Sequence, residues 1–403
     1  MLIEIKPSSL KGRADAPPSK SMAHRLLICA GLSKGESVIK NVAYSEDILA
    51  TLDCLEALGA RIKKEGNAVY IKGADLGAFN GGEFFCRESG STLRFFIPLA
   101  MLSKGKSLFT GCGRLMERPM EIYELLAQEK NLFYEKHAEG ITLSGVLYGG
   151  EFSLRGDISS QFVTGLLFAL PLAKGDSRIT LTGKTESFGY IDMTVDALGR
   201  FGIKIEREKE NIFYIKGSQQ YTAQSLTVEG DYSNAAFLDA FNCIGGEITV
   251  EGLKENSLQG DKVYKRYFEL LKDGTPELDV SHCPDLAPVL MTLACALNGA
   301  RLTGTRRLKI KESDRGEVMK EELSKLGAEI EVKENEIVIS KAALHKPSEK
   351  LCGHNDHRVV MSLSVLCSVY GGVIEGCEAV KKSYPDFFQV MQKLGLEVEE
   401  NGY

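Results

Sequence analysis

A chain of 403 residues exceeds the size at which one hydrophobic core stops growing, so two domains are expected, each able to fold without staples. Its 43% hydrophobic and 26% charged residues, with 11 prolines and no low-complexity tract, exclude a disordered or fibrous chain, and a formal net charge of -6 argues against a general nucleic-acid surface. The 10 cysteines form no Cys-x-x-Cys pair and the start, Met1-Leu2-Ile3-Glu4-Ile5-Lys6, is not a signal peptide, so reduced thiols and a cytoplasmic location are expected.

Taken in chain order, the first motif is Pro17-Pro18-Ser19-Lys20-Ser21-Met22-Ala23-His24-Arg25, which runs into the apolar stretch Leu26 to Ala30. Lys20 and Ser21 are therefore expected where a helix begins and backbone amides attract anions. Lys20 and Arg25 suit phosphate or carboxylate as point charge and planar fork, beside the Ser21 hydroxyl. Taken alone, the motif weighs more toward a capped helix with solvated charges. Residues Ser45 to Leu58 place Ile48, Leu49, Leu52, Leu55 and Leu58 at the three-and-four spacing of a helix with one buried face.

Glu88-Ser89-Gly90-Ser91-Thr92-Leu93-Arg94 repeats the first arrangement, with Gly90 allowing a ligand close to the backbone. In Gly111-Cys112-Gly113-Arg114-Leu115-Met116-Glu117-Arg118-Pro119 the proline is expected to start a helix, with Arg118 beside it able to clamp a carboxylate. Ser159-Ser160-Gln161 opens one of the most apolar helices, which favours a phosphate site over simple capping. Ser187-Phe188-Gly189-Tyr190 adds a hydroxyl and an amphipathic tyrosine at a turn.

Gly230-Asp231-Tyr232-Ser233-Asn234 reads as a crossover between two halves. Beyond it Asp285 stands at the start of the apolar run Leu286 to Asn298, where it caps a helix or, beside a substrate hydroxyl, acts as a base. In Lys311-Glu312-Ser313-Asp314-Arg315 the two cations share a face if the segment is helical, with Glu312 adjacent; a salt-bridge ladder is the plain alternative. Asn355-Asp356-His357-Arg358 opens the apolar run Val359 to Tyr370, and Lys381-Lys382-Ser383-Tyr384-Pro385 ends a strand-like run; both suit anions. His354 and His357 are three apart, but no other ligand set completes a metal spacing, so no metal is expected. None of the apolar runs reaches the roughly 20 residues that span a bilayer, so no membrane contact is expected.

Two recurrences order these elements. Gly35, Gly105, Gly175, Gly246, Gly299 and Gly372 each follow an apolar helix-like run and precede β-branched or aliphatic residues, which suggests six comparable units. Leu58-Gly59, Phe201-Gly202, Leu326-Gly327 and Leu394-Gly395 each close a helix and open a strand.

Together, Lys20-Ser21-x-x-x-Arg25, Ser159-Ser160-Gln161, Pro284-Asp285, Lys311-Glu312-x-Asp314-Arg315, Asn355-Asp356-His357-Arg358 and Pro385-Asp386 resemble, in residue and in order, the 5-enolpyruvylshikimate-3-phosphate (EPSP) synthase family, from Lys20 to Phe387. The resemblance implies an α/β fold, a two-domain inside-out α/β barrel, each domain three repeats of a βαβαββ-type unit with buried parallel helices. It implies domain I from residues 1–14 plus 230–403, domain II from residues 15–229, and an active site in the cleft between them. It further implies transfer of the enolpyruvyl group of phosphoenolpyruvate to shikimate 3-phosphate by a monomer that needs no cofactor.

By the same resemblance Ser159, Ser160 and Ser187 hold the shikimate phosphate, while Lys20, Ser21, Arg25, Gln161, Tyr190, Asp285 and Lys311 position the rest of that substrate. Phosphoenolpyruvate falls to Lys20, Gly90, Arg118, Gln161, Arg315, Arg358 and Lys382. Asp285 is the expected base; Glu312 is the preferred acid, with Lys20 competing. Glu88, Ser89, Ser91, Thr92 and Phe95 depart from the residues many members carry around this glycine, so glyphosate sensitivity is not carried over, and Arg307, where some members have asparagine, is left unassigned. A UDP-N-acetylglucosamine enolpyruvyl transferase, suggested by Cys112, is the nearest alternative. A non-catalytic binder of phosphometabolites or RNA ends is the alternative of another class.

Overall fold

The protein is described by a computed structural model that covers residues 1–157, 159–184 and 186–401, with only the backbone of Asn401. The chain forms two compact units, a contiguous one, Pro18–Glu229, and a discontinuous one, Met1–Pro17 with Gly230–Tyr403.

The contiguous unit carries α1 (Lys20–Gly31), α2 (Glu46–Ala57), α3 (Gly90–Ala100), α4 (Glu121–Glu129), α5 (Ser160–Ala169) and α6 (Phe188–Arg200). These alternate in character. Apart from their first residues, α1, α3 and α5 are buried nearly all round, whereas α2, α4 and α6 bury one face. A helix apolar on every side must lie inside a core, and here Leu26, Leu27, Phe96, Ile97, Leu166 and Leu167 meet in one cluster.

Sheets surround that core. Glu83–Phe85 runs parallel to Ser107–Thr110, which pairs antiparallel with Gly140–Ser144, itself antiparallel to Phe133–Lys136. The same order recurs in Glu151–Arg155, Ser177–Thr182, Ile212–Ile215 and Ile205–Lys209, and again in Ser225–Thr227, Glu36–Lys40, Ala68–Lys72 and Arg61–Glu65. Alternation aims the strands: in Glu151–Arg155 only Phe152 and Leu154 turn inward. In the third sheet the last strand of the unit, Ser225–Thr227, lies against its first, Glu36–Lys40.

The discontinuous unit carries α7 (Tyr232–Asn242), α8 (Tyr264–Asp273), α9 (Ala287–Ala296), α10 (Arg315–Ser324), α11 (His357–Tyr370) and α12 (Phe387–Lys393). Here α7, α9 and α11 are the helices buried along nearly their whole length, within a second core. Two four-stranded sheets keep the pattern: Glu277–Asp279, Ala300–Thr303, Glu336–Ile339 and Ile330–Val332; and Leu351–Cys352, Gly372–Glu375, Leu2–Lys6 and Glu397–Asn401. The sixth, Lys11–Asp15 with Glu247–Glu251, is a parallel pair.

The six near-regular glycines each fall between a buried helix and a strand, Gly372 as the first residue of its strand, in keeping with the six comparable units of the sequence pattern and with the inside-out α/β arrangement that the resemblance implies. The glycines that close α2, α6, α10 and α12 have φ of 106°, 82°, 91° and 106°. In each case the next N–H reaches back into the helix, as from Ala60 to the Leu55 carbonyl at 2.9 Å, a stop that an L side chain would strain.

Candidate active site

In the contiguous unit Ser19 caps α1, accepting from the Met22 N–H at 3.4 Å, and Lys20 and Ser21 form the first turn. Lys20 Nζ donates to Asp47 Oδ2 at 2.7 Å, so the amine is anchored to the start of α2. Arg25, one turn further on, donates Nη1 to the Ser21 carbonyl, Nε to Thr194 Oγ1 and Nη2 to the Tyr190 carbonyl, at 2.7, 2.9 and 2.9 Å. The guanidinium also lies 5.9 Å from the Tyr190 ring. Burial lowers its pKa to about 10, so it stays a cation at neutral pH. Two of these bonds join α1 to α6, and the third ties the guanidinium back to the first turn of α1.

A buried relay ties α1 and α2 to the start of α3: His24 Nδ1 meets Thr51 Oγ1 at 2.7 Å, Thr51 meets Thr92 at 2.8 Å, and Thr92 donates to Ser89 Oγ at 2.8 Å. Ser89 caps α3, so Gly90 is its first residue. A β-carbon at Gly90 would collide with Arg118 Nη1. Glycine is what lets that guanidinium lie against the helix N-terminus, where the amide dipoles already favour an anion. Arg118 follows a single 3-10 turn, and α4 begins at Glu121, not at the proline. Pro119 instead offers its carbonyl to Arg94 Nη2 at 3.2 Å.

Arg94 Nη1 donates to Gln161 Oε1 at 2.7 Å, and Gln161 Nε2 donates to Ser91 Oγ at 2.8 Å. The amide is therefore held on both sides. Ser159 caps α5 through the Gln161 N–H at 3.3 Å, and Ser160 is its buried first residue. Ser187 stands before α6 in the left-handed region, φ 55°.

In the discontinuous unit three cations converge on one carboxylate. Asp285 accepts from Arg315 Nη1 at 2.7 Å, Arg358 Nη2 at 3.0 Å and Lys311 Nζ at 3.2 Å. Burial alone would raise this carboxyl, but Arg358, Lys311 and Arg315 hold it well below the usual carboxylate range. Burial, helped by Arg315, lowers Lys311 in turn. Lys311 ends a 3-10 turn in extended backbone while Arg315 begins α10, so the two do not share a helical face; they reach Asp285 from different elements.

Arg315 also donates Nη2 to Glu312 Oε2 at 2.7 Å and Nε to Asp356 Oδ2 at 2.9 Å. Asp356 caps α11 and accepts from Ser313, and Arg358 donates Nη1 to Ser233 Oγ at 2.5 Å. Lys382 closes a 3-10 turn, Cys377–Lys382, where a strand-like run was expected, and its Nζ donates to the Asn355 carbonyl at 2.7 Å. Arg307 is buried, with Nη2 on the Ser281 carbonyl at 2.9 Å, near enough to Lys311 to weigh on its charge. Cations outnumber carboxylates in this cluster, an arrangement suited to an anionic ligand that carries its own charge.

The EPSP synthase (3-phosphoshikimate 1-carboxyvinyltransferase) family model matches residues 5–391. A 3-phosphoshikimate 1-carboxyvinyltransferase of Clostridium kluyveri is 42% identical, the match covering 99% of this chain and 98% of that protein. One of Clostridium perfringens is 41% identical over 97% of each. This chain belongs to the EPSP synthase family. An EPSP synthase structure from Acinetobacter baumannii superposes with a TM-score of 0.79 over 99% of both chains at 24% identity, which speaks for the fold. EPSP synthases are transferases of aromatic amino-acid biosynthesis that use small-molecule substrates. Among the described residues no helix is long and apolar enough to cross a membrane.

Within the contiguous unit the anticipated residues gather around the starts of α1, α3, α5 and α6; within the discontinuous unit they gather around Asp285. Sequence reasoning passed over Asp47, Ser91, Ser233 and Asp356 as partners, and left Arg94 as part of a motif without a task. An arginine one turn into an apolar helix was the available signal for Arg94. Asp47 gave none, because its role depends on where α2 packs.

Proposed function

We propose that the chain transfers the enolpyruvyl group of phosphoenolpyruvate to the 5-hydroxyl of shikimate 3-phosphate, with both side-chain clusters serving the one reaction. The observation that carries this reading is the convergence of Arg315, Arg358 and Lys311 on Asp285 with Glu312 alongside. Such a cluster offers anion-binding groups and two carboxyl groups able to move protons.

Asp285 accepts the proton of the 5-hydroxyl as that oxygen bonds to C2 of phosphoenolpyruvate, while Glu312 delivers a proton to C3, with Lys20 the competing donor. The tetrahedral intermediate then loses phosphate from C2 and a proton from C3, which restores the vinyl group on the new ether. In the resting cluster the carboxylate of Asp285 is too well stabilised to be a strong base. An arriving phosphate and carboxylate draw Arg358, Arg315 and Lys311 toward themselves, and Asp285 recovers basicity when substrate is in place.

Arg118, Arg315, Arg358 and Lys382, with Lys20, the Gly90 backbone and Gln161, are assigned to phosphoenolpyruvate. Ser159, Ser160 and Ser187 are assigned to the shikimate phosphate, and Ser21, Arg25, Gln161, Tyr190 and Lys311 to the rest of that substrate. We take the enzyme to act as a cytoplasmic monomer. Phosphate release from phosphoenolpyruvate, measured with shikimate 3-phosphate and separately with UDP-N-acetylglucosamine, tests the acceptor. Asp285→Ala is expected to keep calorimetric binding of shikimate 3-phosphate and to lose at least about a hundredfold in turnover, the scale of a general base; equal rates would remove Asp285 from that role.

A further inference from the structure

The turn before α11 is held by groups the reaction does not use. His354 and Asn355 both lie in the left-handed region, φ 46° and 53°, two successive side-chain-bearing residues in a conformation that L residues avoid. Such a turn persists only if its surroundings fix it. Glu322, fully buried on α10, does most of this: Oε1 lies 2.8 Å from His354 Nε2, and Oε2 accepts from the Cys352 N–H at 2.8 Å. Lys325 Nζ sits 2.9 Å from both oxygens. Glu321, Glu322 and His354 are close enough to suggest a metal site, but the Lys325 ammonium already stands against the buried carboxylate where a cation would bind.

Glu322 and Arg315 are seven residues apart and so share one face of α10. That face grips the start of α11 twice, Arg315 through Asp356 and Glu322 through His354. The turn between these grips supplies the Asn355 carbonyl that holds Lys382, and it leads directly into Arg358.

We propose that Glu322 and His354 are positioning residues that hold this turn so that Arg358 and Lys382 face phosphoenolpyruvate, and that loss of the His354 proton loosens the turn and weakens phosphoenolpyruvate binding as pH rises. The inference rests on reading Arg358 and Lys382 as ligands of phosphoenolpyruvate.

The charged groups acting on the imidazole are Glu322 and Glu321 from α10 and Lys325 at its end; Cys352 Sγ, from the preceding strand, accepts from the His354 backbone N–H instead, and Glu375 acts on Cys352. The bond to Glu322 raises His354 above the ordinary imidazole value, with burial and Lys325 opposing. Burial opposes ionisation of Glu322, but His354, the Cys352 N–H and Lys325 bring it below the ordinary value, so it stays a carboxylate. A raised histidine contributes fully below the ordinary value, and its contribution is lost as pH rises through the folded one. Above that point the imidazole donates as a neutral group to the Glu322 carboxylate, and the bond loses the attraction between opposite charges that the imidazolium supplies.

The test uses the full-length enzyme: KM for phosphoenolpyruvate and kcat from about pH 6 to 9, with shikimate 3-phosphate saturating, alongside the NMR titration of His354, the ordinary value being about 6.5. In the wild type KM is expected to rise several-fold in a one-proton step that coincides with the His354 titration, while kcat changes less. His354→Gln, which still donates to Glu322 but does not titrate, should lose that step, and Glu322→Gln should move the His354 titration downward. Ionisation of phosphoenolpyruvate itself is common to all variants and cancels in the ratio to wild type. An active His354→Gln enzyme that keeps the wild-type slope overturns the proposal. So does a wild-type KM step displaced from the His354 titration, a result that needs no variant to fold. A wild type without turnover on phosphoenolpyruvate and shikimate 3-phosphate would instead defeat the underlying functional reading.

Discussion

The Tyr123 hydroxyl donates to the Arg94 carbonyl at 2.7 Å, the acceptor that Pro98, four residues on in α3, cannot serve for want of an N–H. Gly165 makes the approach possible, since a β-carbon there would strike both groups. Tyr123→Phe leaves this buried carbonyl unsatisfied and is expected to cost about 1–3 kcal/mol of stability. Urea unfolding should show a lower midpoint at unchanged slope; an unaltered midpoint would mean that the α3 carbonyl finds another donor.

Gly90→Ala puts a methyl group where Arg118 Nη1 lies. Displacing that guanidinium from the N-terminus of α3 should raise KM for phosphoenolpyruvate several-fold and leave the affinity for shikimate 3-phosphate near wild type. Steady-state kinetics at saturating shikimate 3-phosphate read the first quantity and calorimetry the second.

The Asp285 cluster makes a pH statement with a definite sign. A carboxyl held below its unfolded value contributes stability above that value, and the contribution disappears as pH falls through the folded one. Asp285→Asn leaves Arg315, Arg358 and Lys311 without their shared anion, so it should be less stable than wild type at neutral pH. The gap should narrow below about pH 3.9, where an ordinary aspartate protonates. Denaturant midpoints at neutral and acid pH measure it, and a gap constant with pH would contradict the assignment.

Cys112 is exposed, in the loop whose backbone pairs with the Arg87 carbonyl at 2.8 Å. Cys112→Ser is expected to stay within a few-fold of wild-type turnover with shikimate 3-phosphate. Complete loss would favour the enolpyruvyl transferase that uses a loop cysteine.

What the sequence disclosed followed physical range. Apolar runs such as Phe162 to Ala173 and the glycines after Leu58 and Leu326 speak through local geometry, so helices, their ends and the sixfold recurrence were legible. Lys20, Arg118, Arg315 and Arg358 stood out through the motifs that carry them in one order along the chain, since each alone also suits a cap, a salt bridge or a surface charge. Asp47, Ser233 and Asp356 were not legible as partners, because each acts through a residue distant in the chain. The helical face expected for Lys311 and Arg315 is not formed, because the 3-10 turn stops at Ile310, Lys311 is extended and α10 starts only at Arg315; both nonetheless reach Asp285. The strand expected before Lys382 failed similarly, since six residues of mixed apolar and charged character fit a 3-10 turn as well as an edge strand.

The strand Leu2–Lys6 is interior, flanked by Gly372–Glu375 on one side and Glu397–Asn401 on the other. During synthesis it emerges hundreds of residues before either neighbour. The contiguous unit, by contrast, has every strand of its sheets once Thr227 has left the ribosome. Nascent chains truncated shortly after residue 229 should therefore already protect the amides of α1, α3 and α5. Over the same interval Ile3 and Ile5 remain an unpaired, aggregation-prone edge that a chaperone would need to shield until Gly372–Glu375 and Glu397–Asn401 have emerged.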